Sequence, residues 1–385
     1  MSQQRRRWDV FCCVIDNFGD AGVCWRLARQ LVAEKALEVR LFVDALAALA
    51  RIAPAIDATR DDQLVDGVRV IRWAGPRSER AVDDPGAVVI EAFGCGLPEP
   101  YLVAMTKRHP QPVWINLEYL SAEAWIEGCH GLASRHPRLP LTRHFFFPGF
   151  TLSSGGLLRE RDLFDRRDAF RRDAGAQERW WLALGVTKPE SPTLVASLFC
   201  YANAPLASLL AAWSDGDEPV LCLVPEGVAA SALDAWAGGA FQRPGTRVTH
   251  GRLTAASIPF LSQQDYDRLL WQCDVNFVRG EDSFVRAQWA GRPFIWQPYP
   301  QADDAHRLKL DAFLDRYTEG LAADAAAALR GFSSSWSNDT DAVAAWSALM
   351  RVRGTLSAHA QVWAGRLAAL PHLADNLVKF CGERV

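Results

Sequence analysis

Apolar strand-like runs and helical stretches alternate along this chain in two separate series, and that alternation limits the fold more than any other feature. The first series has runs at residues 10–15, 39–43, 68–73, 87–92 and 112–117, with helical patterning over 22–34 and 44–52. The second has runs at 194–201, 219–224, 246–249, 275–278 and 294–296, with helical patterning over 206–213, 263–272 and 283–290. Strands that alternate with helices predict a parallel sheet covered by helices. Two such series predict an α/β protein of two Rossmann-like domains, with helices from His306 onward. The expected domains are residues 1–182 and 190–355, with C-terminal helices over 356–385 packing back on the first. Residues 135–160, rich in Pro, Gly and Arg, read as long functional loops. Residues 159–181 are charged and helical and carry the chain to the second domain. Two lobes of this kind fit an enzyme with a cleft between them.

Composition narrows the class. A chain of 385 residues, 49% hydrophobic, is long and apolar enough for two cores. A net charge of −3 gives no basic field for nucleic acid. No apolar run reaches the roughly 18–20 residues of a membrane span. The start, "MSQQRRR", lacks the apolar region of a secretion signal, so a cytoplasmic location is expected. The nine cysteines are odd in number and none has C-x-x-C spacing. They read as reduced, mostly buried thiols rather than zinc ligands or a disulfide framework.

Two turns carry the chemistry. The first strand-like run leads into "DNFGDAG", where a nucleotide-binding fold has a glycine-rich turn for phosphates. Asp16 and Asp20 would repel a pyrophosphate, and the missing G-x-G-x-x-G argues against a nicotinamide oxidoreductase. Asp20 could cap the following helix, with Asp16 satisfying backbone N–H groups. Alternatively the two carboxylates face the cleft and hold a cation, a metal or a guanidinium, or take a proton from a nucleophile. The second turn is "RGEDS". Arg279 and Ser283 at a helix N-terminus suit a diphosphate, while Glu281 and Asp282 suit sugar hydroxyls or another cation. The bland alternative makes Asp282 or Ser283 a helix cap and Arg279 a structural ion pair. Phe199 and Tyr201 at a strand end, with Phe260, Gln263 and Tyr266 at a loop-to-helix junction, can stack on and hydrogen-bond a pyrimidine, or simply pack in a core. D-x-D pairs occur at Asp215 and Asp217, Asp265 and Asp267, and Asp339 and Asp341. None falls in a βαβ turn, so all three read as structural and no metal is expected.

Taken together, "DNFGDAGVCWRLARQL", "INLEYLSAEAW", "FFFPGFTLSSGGLLRE", "SLFCY" and "FVRGEDSFVRAQWAGRPFIWQ" resemble the protein-arginine rhamnosyltransferases of bacterial elongation factor P, the EarP family. The resemblance runs from Asp9 to the C-terminal helices. It implies a GT-B glycosyltransferase, inverting, metal-independent and without a cofactor. It implies dTDP-β-L-rhamnose as donor and one arginine at a loop tip of elongation factor P as acceptor, with release of polyproline-stalled ribosomes as the outcome. By motif it implies that Asp16 and Asp20 hold the acceptor guanidinium, Asp20 as general base, with Glu281 as a third essential acid. Asn17, Phe18 and Gly19 form the turn between the two aspartates. Arg279, Asp282 and Ser283 match donor contacts, and Phe199, Tyr201, Phe260, Gln263 and Tyr266 match the nucleotide pocket. Tyr266 stands where some relatives are expected to carry Phe, which keeps the ring and adds a hydroxyl. Rival readings are a GT-B transferase using another dTDP-sugar or a sugar hydroxyl acceptor, and an adaptor that docks on elongation factor P without catalysis. A hydroxyl acceptor needs one base rather than a cluster of acids.

Overall fold

The computed structural model describes residues 6–16, 18–77, 84–189, 192–228, 230–241, 243–301, 304–337 and 342–384. The chain divides into two units, Met1–Arg161 with Leu367–Val385, and Asp162–Arg366.

Unit 1 is built on β1 (Arg7–Cys12), β2 (Glu38–Val43), β3 (Asp62–Val65), β4 (Val68–Arg72), β5 (Val88–Ala92), β6 (Val113–Leu117), β7 (Ala133–Arg135) and β8 (Thr142–Phe146). The strand order is β3-β4-β2-β1-β5-β6-β8-β7. The inner pairs are parallel, and the two edge pairs, β3–β4 and β7–β8, are antiparallel. Inner strands such as β5 are buried along their whole length, as a sheet covered on both faces requires. On one face Phe11, Phe42, Trp73, Tyr101 and Trp114 form a core, with Phe11 and Phe42 stacked at 4.3 Å. The helix Gly19–Lys35 buries Val23, Leu27 and Leu31. Strands run outward from β1 through β2 to β4, then return to the other side of β1 as β5. The order therefore reverses between β1 and β5, and the C-terminal ends of strands at such a reversal are where open α/β sheets bind ligands.

Unit 2 repeats the plan with β9 (Leu194–Leu198), β10 (Val220–Pro225), β11 (Arg247–His250), β12 (Leu253–Ile258), β13 (Val275–Arg279) and β14 (Phe294–Gln297). Its order is β11-β12-β10-β9-β13-β14, so the reversal lies between β9 and β13. The two expected reactive turns follow β1 and β13, each at its own unit's reversal point.

Several expectations need correction. The first strand ends at Cys12, not residue 15, because residues 13–16 leave the sheet and fold toward Asp20. Residues 135–160 are not all loop: β8 runs through "TRHFF", with Pro137, Pro140 and Pro148 flanking it rather than interrupting it. The division falls at Asp162, not near residue 182. The helices Leu163–Arg172 and Ala174–Ala183 belong to unit 2, where Arg167 Nη1 and Arg171 Nη2 donate to Trp289 O and Ala290 O at 2.9 and 2.7 Å. The helix Arg353–Ala368 is likewise tied into unit 2, since Trp363 Nε1 donates to Gln288 Oε1. The return to unit 1 therefore begins at Leu367 rather than residue 356.

The returning segment rests on the "SSGG" loop. Leu373 N donates to Leu157 O at 2.9 Å, and Asn376 Nδ2 donates to Gly155 O at 3.1 Å. A Cβ on Gly155 would sit 2.4 Å from the Phe146 ring. Gly156 has φ +76°, and a Cβ there would sit 2.3 Å from Pro371 O, so both positions require glycine. Asp375 on the last helix pairs with Lys35 and with His372.

Candidate active site

In unit 1 the helix begins at Gly19, and Phe18 at its N-cap makes no side-chain cap. Asp20 therefore lies inside the first turn and is not the cap. It is fully buried. Its Oδ2 accepts the backbone N–H of Ile15 at 2.8 Å and of Asp16 at 2.9 Å. Its Oδ1 accepts the Tyr119 hydroxyl at 3.1 Å. The loop after β1 is thus wound around one carboxylate, which explains why the strand stops early. Asp16 is half-buried, and its carbonyl accepts Gly19 N at 2.7 Å. A Cβ on Gly19 would press on Asp16 Oδ2 at 3.0 Å, so glycine leaves room for that carboxylate. Asn17 lies outside the described residues. Below the turn the Cys12 thiol is pushed up by its hydrogen bond with Cys24, by burial and by the charge of Asp20, which keeps it inert.

In unit 2 the Arg279 guanidinium lies over the rings of Phe199 and Tyr201, 4.5 and 4.6 Å from their centroids. Its Nη1 donates to Cys200 O at 2.9 Å. Among the described residues the planar cation is held by two aromatic faces and one carbonyl and forms no ion pair with a carboxylate, which argues against the structural ion pair. Gly280 takes φ +58° and turns the chain into the helix Asp282–Ala290, with Glu281 at the N-cap position and no side-chain cap. Ser283 is the second residue of that helix, and its hydroxyl accepts Arg279 N at 3.0 Å and donates to Arg279 O. Gln263 Nε2 donates to Asp282 Oδ2 at 3.2 Å, joining the two halves of the expected donor pocket. Tyr266 packs edge-on against Phe199 at 5.6 Å. Burial pushes its phenol up, and the hydroxyl sits beside Ser283, whose own donor and acceptor are already engaged with Arg279. Phe260 is half-buried in the loop that leads to the Ser262 cap of the helix Gln263–Gln272.

The expected residues thus gather at two places, one in each unit. A family model described as elongation-factor P (EF-P) rhamnosyltransferase EarP matches residues 8–382. The chain belongs to the EarP family. It is similar to a protein-arginine rhamnosyltransferase of Pseudomonas putida, 49% identical over 97% of this chain and 98% of the relative. A second, of Pseudomonas aeruginosa, is 46% identical over 98% of this chain and 99% of the relative. A solved structure, presented as the structural basis for EarP-mediated arginine glycosylation of translation elongation factor EF-P, matches with a TM-score of 0.70 and 37% identity. It covers 99% of this chain and 100% of that one. Membership of EarP makes the chain a glycosyltransferase, and the two-sheet architecture is the GT-B fold expected from the sequence.

In this EarP chain one of the D-x-D pairs is engaged in ion pairs. Asp267 is buried in a bidentate pair with Arg286 at 2.7 and 2.8 Å, while Asp265 pairs with Arg268. Asp215 and Asp217 are exposed in a turn, and Asp339 and Asp341 lie outside the described residues. Among the described residues no group of three or more His, Cys, Asp or Glu is arranged to hold a metal ion, and no helix is long and apolar enough to cross a membrane. Sequence reasoning missed Tyr119, whose only signal is an aromatic just past the end of β6. It also missed Gln297, whose Oε1 accepts Tyr201 N at 2.8 Å and whose Nε2 donates to Asn203 at 3.2 Å. Tyr299, edge-on to Tyr201 at 5.6 Å and 45% exposed, extends the aromatic group.

Proposed function

We propose that this chain transfers L-rhamnose from dTDP-β-L-rhamnose to an arginine side chain of elongation factor P, with inversion and without a metal. The observation that carries this reading is the buried Asp20 carboxylate, held by three donors beside Asp16 at the reversal point of unit 1. An arginine guanidinium has a pKa above about 12 and is a poor nucleophile. Two carboxylates can grip its N–H edges and orient one nitrogen. Asp20 then takes a proton from that nitrogen as the C–N bond forms. The bond from the sugar to the diphosphate breaks, and its electron pair leaves on the phosphate oxygen of dTDP. Attack opposite the leaving group inverts the anomeric carbon. Arg279 and the N–H groups at the start of the helix Asp282–Ala290 balance the charge that develops on the diphosphate. Phe199, Tyr201, Tyr266, Phe260 and Gln263 hold the thymidine, and Glu281 and Asp282 face sugar hydroxyls. Support comes from relatives named protein-arginine rhamnosyltransferase and from the solved EarP structure concerned with EF-P. The localisation that goes with this substrate is cytoplasmic.

Intact mass spectrometry of elongation factor P, incubated with this protein and dTDP-rhamnose, tests the reading. One added deoxyhexose, lost when the acceptor arginine is replaced by lysine, is the expected result. Bound but unmodified elongation factor P would make the protein an adaptor, and transfer only from another dTDP-sugar would change the donor.

A further inference from the structure

We propose that Tyr119 is a positioning residue that fixes the Asp20 carboxylate and leaves it a single direction for the acceptor. This rests on the reading of Asp20 as the base. A carboxylate offers about four lone-pair directions. Oδ2 uses both of its own on Ile15 N and Asp16 N. Oδ1 uses one on the Tyr119 hydroxyl. The remaining direction is on Oδ1, so the position of Tyr119 decides where an acceptor N–H can point. During transfer the proton moves from the guanidinium nitrogen to Oδ1, and Tyr119 stays a neutral donor throughout.

Tyr119 is itself held. It follows the end of β6 by two residues, and the preceding Glu118 N donates to Phe146 O at 2.9 Å. Its ring stacks on Phe93, with centroids 4.3 Å apart and planes within 12°. Phe93 has φ +57°, a left-handed backbone that an aromatic residue rarely adopts, and Gly94 follows at +63°. Two hydrogen bonds maintain this turn: Phe93 N to Leu117 O at 2.7 Å, and Gly94 N to Asn116 Oδ1 at 3.1 Å. Both rings are only half-buried, so core packing does not explain the arrangement. The turn lies at the C-terminal end of β5, at the reversal point of the sheet. A strained backbone there places a ring under the residue that orients the base.

Tyr119→Phe keeps the ring stack and removes only the hydroxyl. With elongation factor P and dTDP-rhamnose as substrates, kcat is expected to fall about tenfold, the scale of one charge-assisted hydrogen bond. KM for the acceptor and the thermal midpoint stay as in the wild type. In an Asp20→Asn background the same substitution costs no further activity, because there is no longer a carboxylate to orient. An unchanged kcat, a rise in KM alone, or the same tenfold loss in both backgrounds overturns the proposal. The Asp20→Asn single variant separates the two readings. If it keeps full turnover, the base assignment has failed, whereas if it is inactive while Tyr119→Phe matches wild type, only the positioning role has failed.

Discussion

At the scale of single residues, two carboxylates four positions apart in the unit 1 turn differ in setting. Asp20 is buried and accepts three hydrogen bonds, while Asp16 is half-buried beside Gly19. Asp20→Asn preserves shape and can still accept both backbone N–H groups on its one carbonyl oxygen. Turnover is expected to drop about a hundredfold or more, the usual scale for loss of a general base, with the thermal midpoint only slightly lower. Transfer rates near wild type, measured with the melting curve on the same sample, would reduce Asp20 to a loop organiser. The residues proposed to bind the donor answer to a different assay. The Arg279 guanidinium makes one hydrogen bond among the described residues, to Cys200 O. Arg279→Ala should weaken dTDP binding by about 1.5–3 kcal/mol, the worth of a charge-assisted contact. Asp16→Asn should leave dTDP binding nearly intact. Calorimetric titration with dTDP compares them, and equal losses in both variants would undo the assignment of separate acceptor and donor groups.

At the scale of elements, the "SSGG" loop acts as a seat for the last helix, Leu373–Gly382. Gly156→Ala forces a Cβ into a left-handed backbone and against Pro371 O, so a loss of about 2 kcal/mol or more is expected. Chemical denaturation should show that loss, and brief proteolysis should cut first near residue 370. A variant as stable and as resistant as wild type would mean the seat can shift freely. The same region shows where sequence reading stops. Inner parallel strands are legible because burial on both faces makes them continuous apolar runs, as in "VFC" of β1 or "VVIEA" of β5. Strands at the sheet margins are not: β3 is polar, and β8, next to the edge strand β7, is hidden among prolines, arginines and histidines. The single run expected at 246–249 proved to be one arm of the β11–β12 hairpin, turned at Gly251. The carboxylate turn was legible because Asp16 and Asp20 are close in sequence. Tyr119 lies 99 residues from Asp20, and only the placement of β6 next to β5 brings it into contact with that carboxylate.

At the scale of the whole molecule, four histidines share one electrostatic state. Burial holds the imidazoles of His130, His144, His359 and His372 below their usual pKa. The unfolded chain takes up protons at these side chains near pH 6.5, which the folded chain resists. The unfolded state therefore binds more protons, and stability rises with pH across that window. Stability is expected to be full above about pH 6.5 and to fall as the pH drops from there through the lower folded values. Thermal midpoints recorded at pH 7.5 and 5.5 test this, and equal midpoints would contradict it. The division of the chain has a further consequence for synthesis. Unit 1 takes its final helix from beyond Arg366, so all of unit 2 is threaded between its parts. As the ribosome feeds the chain out, unit 2 has every one of its residues before unit 1 does. The sheet that carries Asp20 must wait, its glycine seat uncovered, while a whole second sheet is made. A chain cut short near residue 366 would leave the ribosome with a finished unit 2 and an unfinished unit 1.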